Sequence, residues 1–420
     1  MRLSPAAMLT AILAVLLTLI ATPAAARVRT GIDVLQDQRF AQLKQVAARH
    51  GGRLRLGILA NPISVDGRGR RTIDVLRQDA EAAVPGLKVV KLFSGEHGID
   101  AALDVEHIDD GVDKASGLPI VSLYGGNPAD RRPGARQLAG VDAVVIDLQD
   151  VGVRYWTFQT LTKYFLQASA AHGVELILLD RPNPINGVAV QGPVTLPGQE
   201  NYVTPHAEPM RPGMTLGELA TMFNAEDRIG AKLTVIRMTG WKRTDWYDQT
   251  GLLWINPSPN LRSPAQATAY AGTALLEGTN VNVKGPSEPS FLRFGAPWID
   301  GVALADHLNR RAIAGVHFMP IVYVPAGDAH FPHVGQRVEG VEVIVDDRDR
   351  LDAPLLGVEA VSALWKLYGP KFEIDRVDRL LRDRAMLDRI KAGEDPRRIA
   401  AAWQPALNRF KARRARYLLY

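Results

Sequence analysis

The chain has no cysteine in 420 residues. That excludes disulfides, thiol nucleophiles, iron–sulfur ligation and a lipid-modified cysteine behind a leader. Other signatures are missing too. No G-x-G-x-x-G follows the first apolar strand, and there is no P-loop. There is no G-x-S-x-G elbow of a serine hydrolase and no H-E-x-x-H metal grammar. No motif that reads RNA or DNA occurs. The net charge of +5 is scattered, apart from a basic run between Arg376 and Arg416. Such a run reads as the solvated face of helices. Neither a cofactor, a resident metal nor a nucleic-acid partner is expected.

What is present describes a folded protein with sizeable cores: 46% hydrophobic and 23% charged residues over a length that accommodates two or three domains. Arg2, the apolar run Ala7–Ile20 and the small residues Ala24-Ala25-Ala26 have the order of a secretory signal peptide. The run is short for a membrane span. Cleavage is expected after Ala26, leaving a periplasmic or secreted protein with no stable membrane insertion.

Beyond residue 26, short apolar strands alternate with helices. Gly31–His50 has helical spacing of apolar residues, and Leu54–Ala60 is a strand ending in Asn61-Pro62. Val89–Phe93, Pro119–Leu123, Ala143–Leu148 and Glu175–Leu179 are further strands, with a helix over Thr157–His172 closed by Gly173. Strands this continuously apolar belong to a parallel sheet covered on both faces. The reading is an α/β protein: a Rossmann-like domain over 27–205, then a smaller α/β domain over 206–420. In the second part, Thr215 and Glu218 form a capping box, and Val316–Val324 and Val341–Val345 are strands.

The carboxyl ends of the first-half strands are polar: Asn61; Glu96 and His97; Tyr124; Asp147, Gln149 and Asp150, with Arg154 and Tyr155 close behind; Asp180, Arg181 and Asn183. In a parallel sheet these ends share one edge, where ligands bind. Taken singly, each has a structural use: Asp150 or Asp180 as a helix cap, Arg154 as an ion-pair partner, Asn183 as a turn former. In the second half, Leu276-Glu277-Gly278-Thr279-Asn280 offers a second glycine-flanked carboxylate. Two carboxylates facing across a cleft suit glycoside hydrolysis. Trp241, Trp246, Tyr247 and Trp254 suit sugar stacking, although core packing is the commoner use of tryptophan. The competing chemistry is metal binding by Glu96, His97, Asp100, Glu106 and His107, or by His330 and His333, whose spacings match no ligand grammar.

These segments resemble the DUF1343 family of NamZ-like exo-β-N-acetylmuramidases. The resemblance is carried by Leu92-Phe93-Ser94-Gly95-Glu96-His97-Gly98, Asp147-Leu148-Gln149-Asp150-Val151-Gly152-Val153-Arg154-Tyr155, Leu179-Asp180-Arg181-Pro182-Asn183-Pro184, Pro257-Ser258-Pro259-Asn260 and Leu276-Glu277-Gly278-Thr279-Asn280. It implies a Rossmann-like domain and a smaller α/β domain with the active site in the cleft between them. It also implies release of N-acetylmuramic acid from the non-reducing end of peptidoglycan fragments, with Glu96 as acid/base. The further catalytic candidates are His97, Asp150 and Glu277. The substrate-binding candidates are Asn61, Tyr124, Gln149, Arg154, Tyr155, Arg181, Asn183, Asn260 and Asn280. Arg154 and Arg181 are the arginines considered for the lactyl carboxylate, which a guanidinium can grip bidentately. The chain departs from the family pattern at Gly95, where proline is usual, and at Lys284-Gly285-Pro286-Ser287 and Ser290-Phe291-Leu292, where an arginine and a glutamate are missing. That departure motivates a second reading, a non-catalytic periplasmic protein that keeps the cleft to bind sugar or cell wall.

Overall fold

The computed structural model describes residues 28–285 and 289–420. The expected signal peptide and two residues of the departing segment, Pro286 and Ser287, lie outside them. Among the described residues, no helix is long and apolar enough to cross a membrane.

Twelve strands are named in chain order: β1 Leu54–Ala60, β2 Leu87–Ser94, β3 Gly111–Val112, β4 Pro119–Ser122, β5 Ala143–Asp147, β6 Glu175–Leu179, β7 Gln191–Val194, β8 Pro209–Arg211, β9 Leu233–Ile236, β10 Arg293–Ala296, β11 Val316–Tyr323 and β12 Val338–Val345. Seven form the large sheet in the order β3-β4-β2-β1-β5-β6-β9. All its pairings are parallel except β3 with β4. β5 and β6 are buried along their whole length, the pattern of strands covered on both faces. The last strand, β9, comes from beyond residue 205, so the sheet takes in chain that the sequence assigns to the second domain. The smaller sheet is antiparallel, β10-β12-β11, and β7 and β8 form a separate ribbon. The molecule is thus an α/β protein with a mainly parallel sheet and a second, smaller sheet region.

Two local readings meet the structure differently. Thr215 caps the helix Leu216–Glu226 in the expected capping box, its hydroxyl accepting from Glu218 N while the Glu218 carboxylate accepts from Thr215 N. The expected helix Gly31–His50 is two helices, Gly31–Asp37 and Ala41–Arg49. Arg39 and Phe40 lie in the left-handed region, and the turn they make carries the Phe40 ring into the core. Helical spacing on both sides concealed a break that tertiary burial favours.

One close approach positions the second half of the site. The helices Pro264–Thr273 and Ala353–Tyr368 cross at Gly272 and Gly357. A Cβ on Gly272 would sit 1.9 Å from Ala353 O, so nothing larger than glycine allows the crossing. The first helix runs on through a 3₁₀ turn, Ala274–Leu276, and delivers Glu277 at its end.

Candidate active site

A cavity of about 100 Å³ lies between the two sheet regions. The first half contributes Glu96, His97, Asp104, Tyr155, Trp156 and Thr157; the second contributes Asn260, Tyr270, Glu277, Lys284, Phe291 and Arg379.

Glu96 follows β2 on a turn. Its Oε1 accepts a hydrogen bond from the Tyr124 hydroxyl (2.8 Å), and its Oε2 accepts one from Thr157 Oγ1 (2.6 Å). Thr157 opens the helix Thr157–His172, so this wall is built from two strand ends and a helix N-terminus. Burial and the neighbouring Glu96 carboxyl push the Tyr124 phenol well above its ordinary pKa, which keeps it a donor. Among the described residues, no cation pairs with Glu96. Both of its partners are rotatable hydroxyls that can donate or accept.

His97 adopts φ +69°, in the left-handed region. Its Nδ1 is 2.7 Å from Leu103 O. A ring nitrogen facing a carbonyl carries a proton, so Nδ1 is the donor of this contact. Phe291, on the opposite wall, also has a positive φ, +68°. Such conformations cost about 1–2 kcal/mol each in a non-glycine residue and persist only where surrounding structure imposes them.

Across the cavity, Lys284 Nζ lies 2.7 Å from Glu277 Oε1 and 3.7 Å from Asp104 Oδ2. Burial opposes charging of Lys284, but Glu277 and Asp104 outweigh it and raise the ammonium above its ordinary pKa. Asp104 is desolvated too. Even so, Lys284, the 2.7 Å hydrogen bond from Asn260 Nδ2, His97 and His330 hold its carboxyl below the usual range. Part of the lining is aromatic. The Tyr155 hydroxyl donates to Tyr270 O, and Tyr155, Trp156 and Phe291 all pack edge-on to the Tyr270 ring. Trp156 Nε1 and Asn260 Oδ1, polar atoms on cavity residues, are buried without a hydrogen-bond partner among the described residues.

Of the residues singled out in the sequence, the structure therefore gathers Glu96, His97, Tyr155, Asn260 and Glu277 around one cavity, with Tyr124 bonded to Glu96. The others have different work. Asp150 is buried, its Oδ1 accepting from Gly152 N, and desolvation raises it to about 7. Gln149 donates to Asp150 O and Pro182 O. Asn183 donates to Met214 O and accepts from Ile185 N, while Asn61 accepts from Ile63 N within its turn. Asn280 ties the Lys371–Glu373 loop.

The expectation that Arg154 or Arg181 meets a substrate carboxylate is corrected. Arg181 is buried in an ion pair with Asp147 and donates to Val65 O. Arg154 is fully buried and donates to the carbonyls of Pro193, Glu208, Leu380 and Leu381. The crevice where the strand order reverses, beyond β1 and β5, is thus filled by the protein's own polar network. The cavity opens one strand over, beside β2.

The tryptophan-rich stretch is also elsewhere. Trp246 donates to Asp349 and Trp241 packs against Tyr420. Asp104, Trp156, Thr157, Tyr270 and Arg379 were missed. Only Trp156 and Thr157 carried a signal, as neighbours of a polar strand-end motif at a helix start. Of the histidines weighed as ligands, His107 faces Asp109 and His333 faces Asn280 O. Among the described residues, no group of three His, Asp or Glu side chains could hold a metal ion.

The fold and the cleft are those of an α/β glycosidase family, and comparison identifies which one. The sequence matches "Exo-beta-N-acetylmuramidase NamZ, N-terminal" over residues 56–265 and "Exo-beta-N-acetylmuramidase NamZ, C-terminal" over residues 268–420. The chain belongs to the NamZ family, also known as DUF1343. It is 32% identical over 399 residues to the peptidoglycan beta-N-acetylmuramidase NamZ of Bacillus subtilis, covering 94% of this chain and 92% of the relative. Among solved structures it superposes on a DUF1343 protein of Bacteroides fragilis with TM-score 0.81 at 30% identity, covering 94% of this chain and 99% of the other. A second B. fragilis DUF1343 protein, 24% identical, shares the fold with TM-score 0.72 over the same shares of the two chains.

Proposed function

We propose that this protein is an exported glycosidase that releases N-acetylmuramic acid from the non-reducing end of peptidoglycan fragments, with Glu96 as acid/base. The observation that carries the assignment is the setting of Glu96: on the cavity wall, held by two hydroxyls and paired with no cation among the described residues. A cation would pin it as a carboxylate. Hydroxyls can turn to accept its proton as readily as to donate, so the group can give a proton to the leaving oxygen and take one back from water. Glu277 and Asp104, engaged with Lys284, supply negative charge on the facing wall, where an oxocarbenium-like transition state develops positive charge. The aromatic part of the lining, Trp156, Tyr270 and Phe291, suits the apolar face of a pyranose ring. Similarity to the B. subtilis peptidoglycan beta-N-acetylmuramidase supports the substrate class.

The test is release of muramic acid from a MurNAc–GlcNAc disaccharide or a chromogenic muramoside. Glu96→Gln is expected to lower turnover roughly 10²–10⁴-fold, the usual share of acid–base catalysis. Full activity in that variant would refute the assignment of the acid. Export is tested by N-terminal sequencing of the protein recovered from the cell envelope or medium, where Arg27 is the expected first residue. A second reading, binding of cell-wall sugar without turnover, is favoured by one observation: Lys284 already occupies the Glu277 carboxylate. Retained sugar binding with no hydrolysis by the wild type would establish it.

A further inference from the structure

We propose that Arg379 recognises the lactyl carboxylate, the group by which muramic acid differs from glucosamine. The proposal rests on the muramidase reading above and names the residue that would make the site select its sugar.

Charge on the cavity wall is the starting point. Glu96, Asp104 and Glu277 place three carboxyl groups there, against two long cationic side chains, Lys284 and Arg379. A further carboxylate on the substrate meets repulsion in such a site unless a cation is reserved for it. Lys284 is not available, being 2.7 Å from Glu277 and 3.7 Å from Asp104. Arg379 is exposed, and its guanidinium makes no ion pair or hydrogen bond among the described residues. Its planar fork matches a carboxylate with two parallel hydrogen bonds, which an ammonium cannot do.

The head group is free, but the backbone that carries it is not. Arg379 sits in the short helix Asp378–Leu381. The carbonyls of the next two residues, Leu380 and Leu381, accept from Arg154 Nη2 at 3.1 and 2.7 Å. The buried Arg154 therefore positions Arg379. On the cavity side the guanidinium lies over the Glu277-Gly278 turn: a Cβ at Gly278, where φ is +85°, would come within 3.3 Å of Arg379 Nη1. A fixed base beneath an uncommitted guanidinium lowers the ordering cost of gripping an anion.

The deciding experiment is calorimetric binding of free N-acetylmuramic acid and N-acetylglucosamine to wild type, Arg379→Gln and Arg379→Lys. Thermal melts serve as the folding control. Wild type is expected to prefer muramic acid. Arg379→Gln should weaken muramic acid roughly 10- to 100-fold, as for loss of a charged hydrogen-bonded contact, and leave glucosamine unchanged. Arg379→Lys should restore part of the preference. An Arg379→Gln variant that keeps the preference overturns the proposal, and so does one that loses both sugars equally. Wild type that binds neither sugar overturns the muramidase reading itself, and the proposal with it.

Discussion

Lys284 Nζ bridges Glu277 and Asp104, which come from opposite halves of the chain. Lys284→Met leaves two carboxylates facing each other without their shared cation. A loss of about 1–3 kcal/mol at neutral pH is expected, the cost of an uncompensated polar group in a half-buried site. The sign with pH follows from Asp104, whose folded pKa lies below its unfolded value. Its stabilisation is fully present above about pH 4 and is lost as pH falls through the depressed value. Lys284→Met should therefore be most damaging near pH 7 and approach wild type in acid. Urea unfolding at the two pH values checks this, and an equal loss at both contradicts it.

Tyr124 and Thr157 hold the two oxygens of Glu96. Tyr124→Phe and Thr157→Val each remove one hydroxyl with little change of shape. Each should lower kcat about 10- to 100-fold, the worth of a hydrogen bond to a charged group. The double variant should lose less than the product of the two singles, because the groups act as one unit. Muramoside kinetics decide between these outcomes.

Asp150 and Glu208 are buried acids whose burial raises them to about 7 and about 8. Neither Glu208 oxygen has a hydrogen-bond partner among the described residues. For an acid raised on folding, the native state holds more protons than the unfolded state between about pH 4 and the folded pKa. Stability therefore falls as pH rises through that window. Asp150→Asn and Glu208→Gln mimic the protonated forms, so their melting temperatures relative to wild type should climb from pH 4.5 to pH 8. A gap that does not change with pH argues against neutral acids in the core.

Arg154 satisfies four carbonyls far apart in sequence. Arg154→Met removes their shared donor, leaving Glu208 O only its bonds from Thr195 N and Oγ1, and should cost about 3 kcal/mol. Hydrogen exchange should quicken at residues 378–382 before it quickens in the large sheet. Arg154→Lys, which keeps a donor but not the fork, should fall between the two.

The sequence by itself determined that a mainly parallel sheet would form and that Glu96 would follow one of its strands. Continuous burial of Ala143–Asp147 and Glu175–Leu179, the helix stop at Gly173 and the Thr215–Glu218 box are local patterns, and local patterns are legible in one dimension. Glu96 was legible for the same reason, a carboxyl flanked by glycines at a strand end. Tertiary structure decided which of the polar strand ends face a cavity. Arg181 and Arg154 carried the same charge and the same motif context as a ligand-binding arginine would. Their partners lie 34 residues away at Asp147 and 227 residues away at Leu381, distances that spacing does not encode. Arg379 was one arginine in a basic run until the fold laid it beside Gly278. The buried guanidinium of Arg154 is held by carbonyls and that of Arg181 by Asp147, whereas Arg379 is exposed beside the cavity with no partner among the described residues.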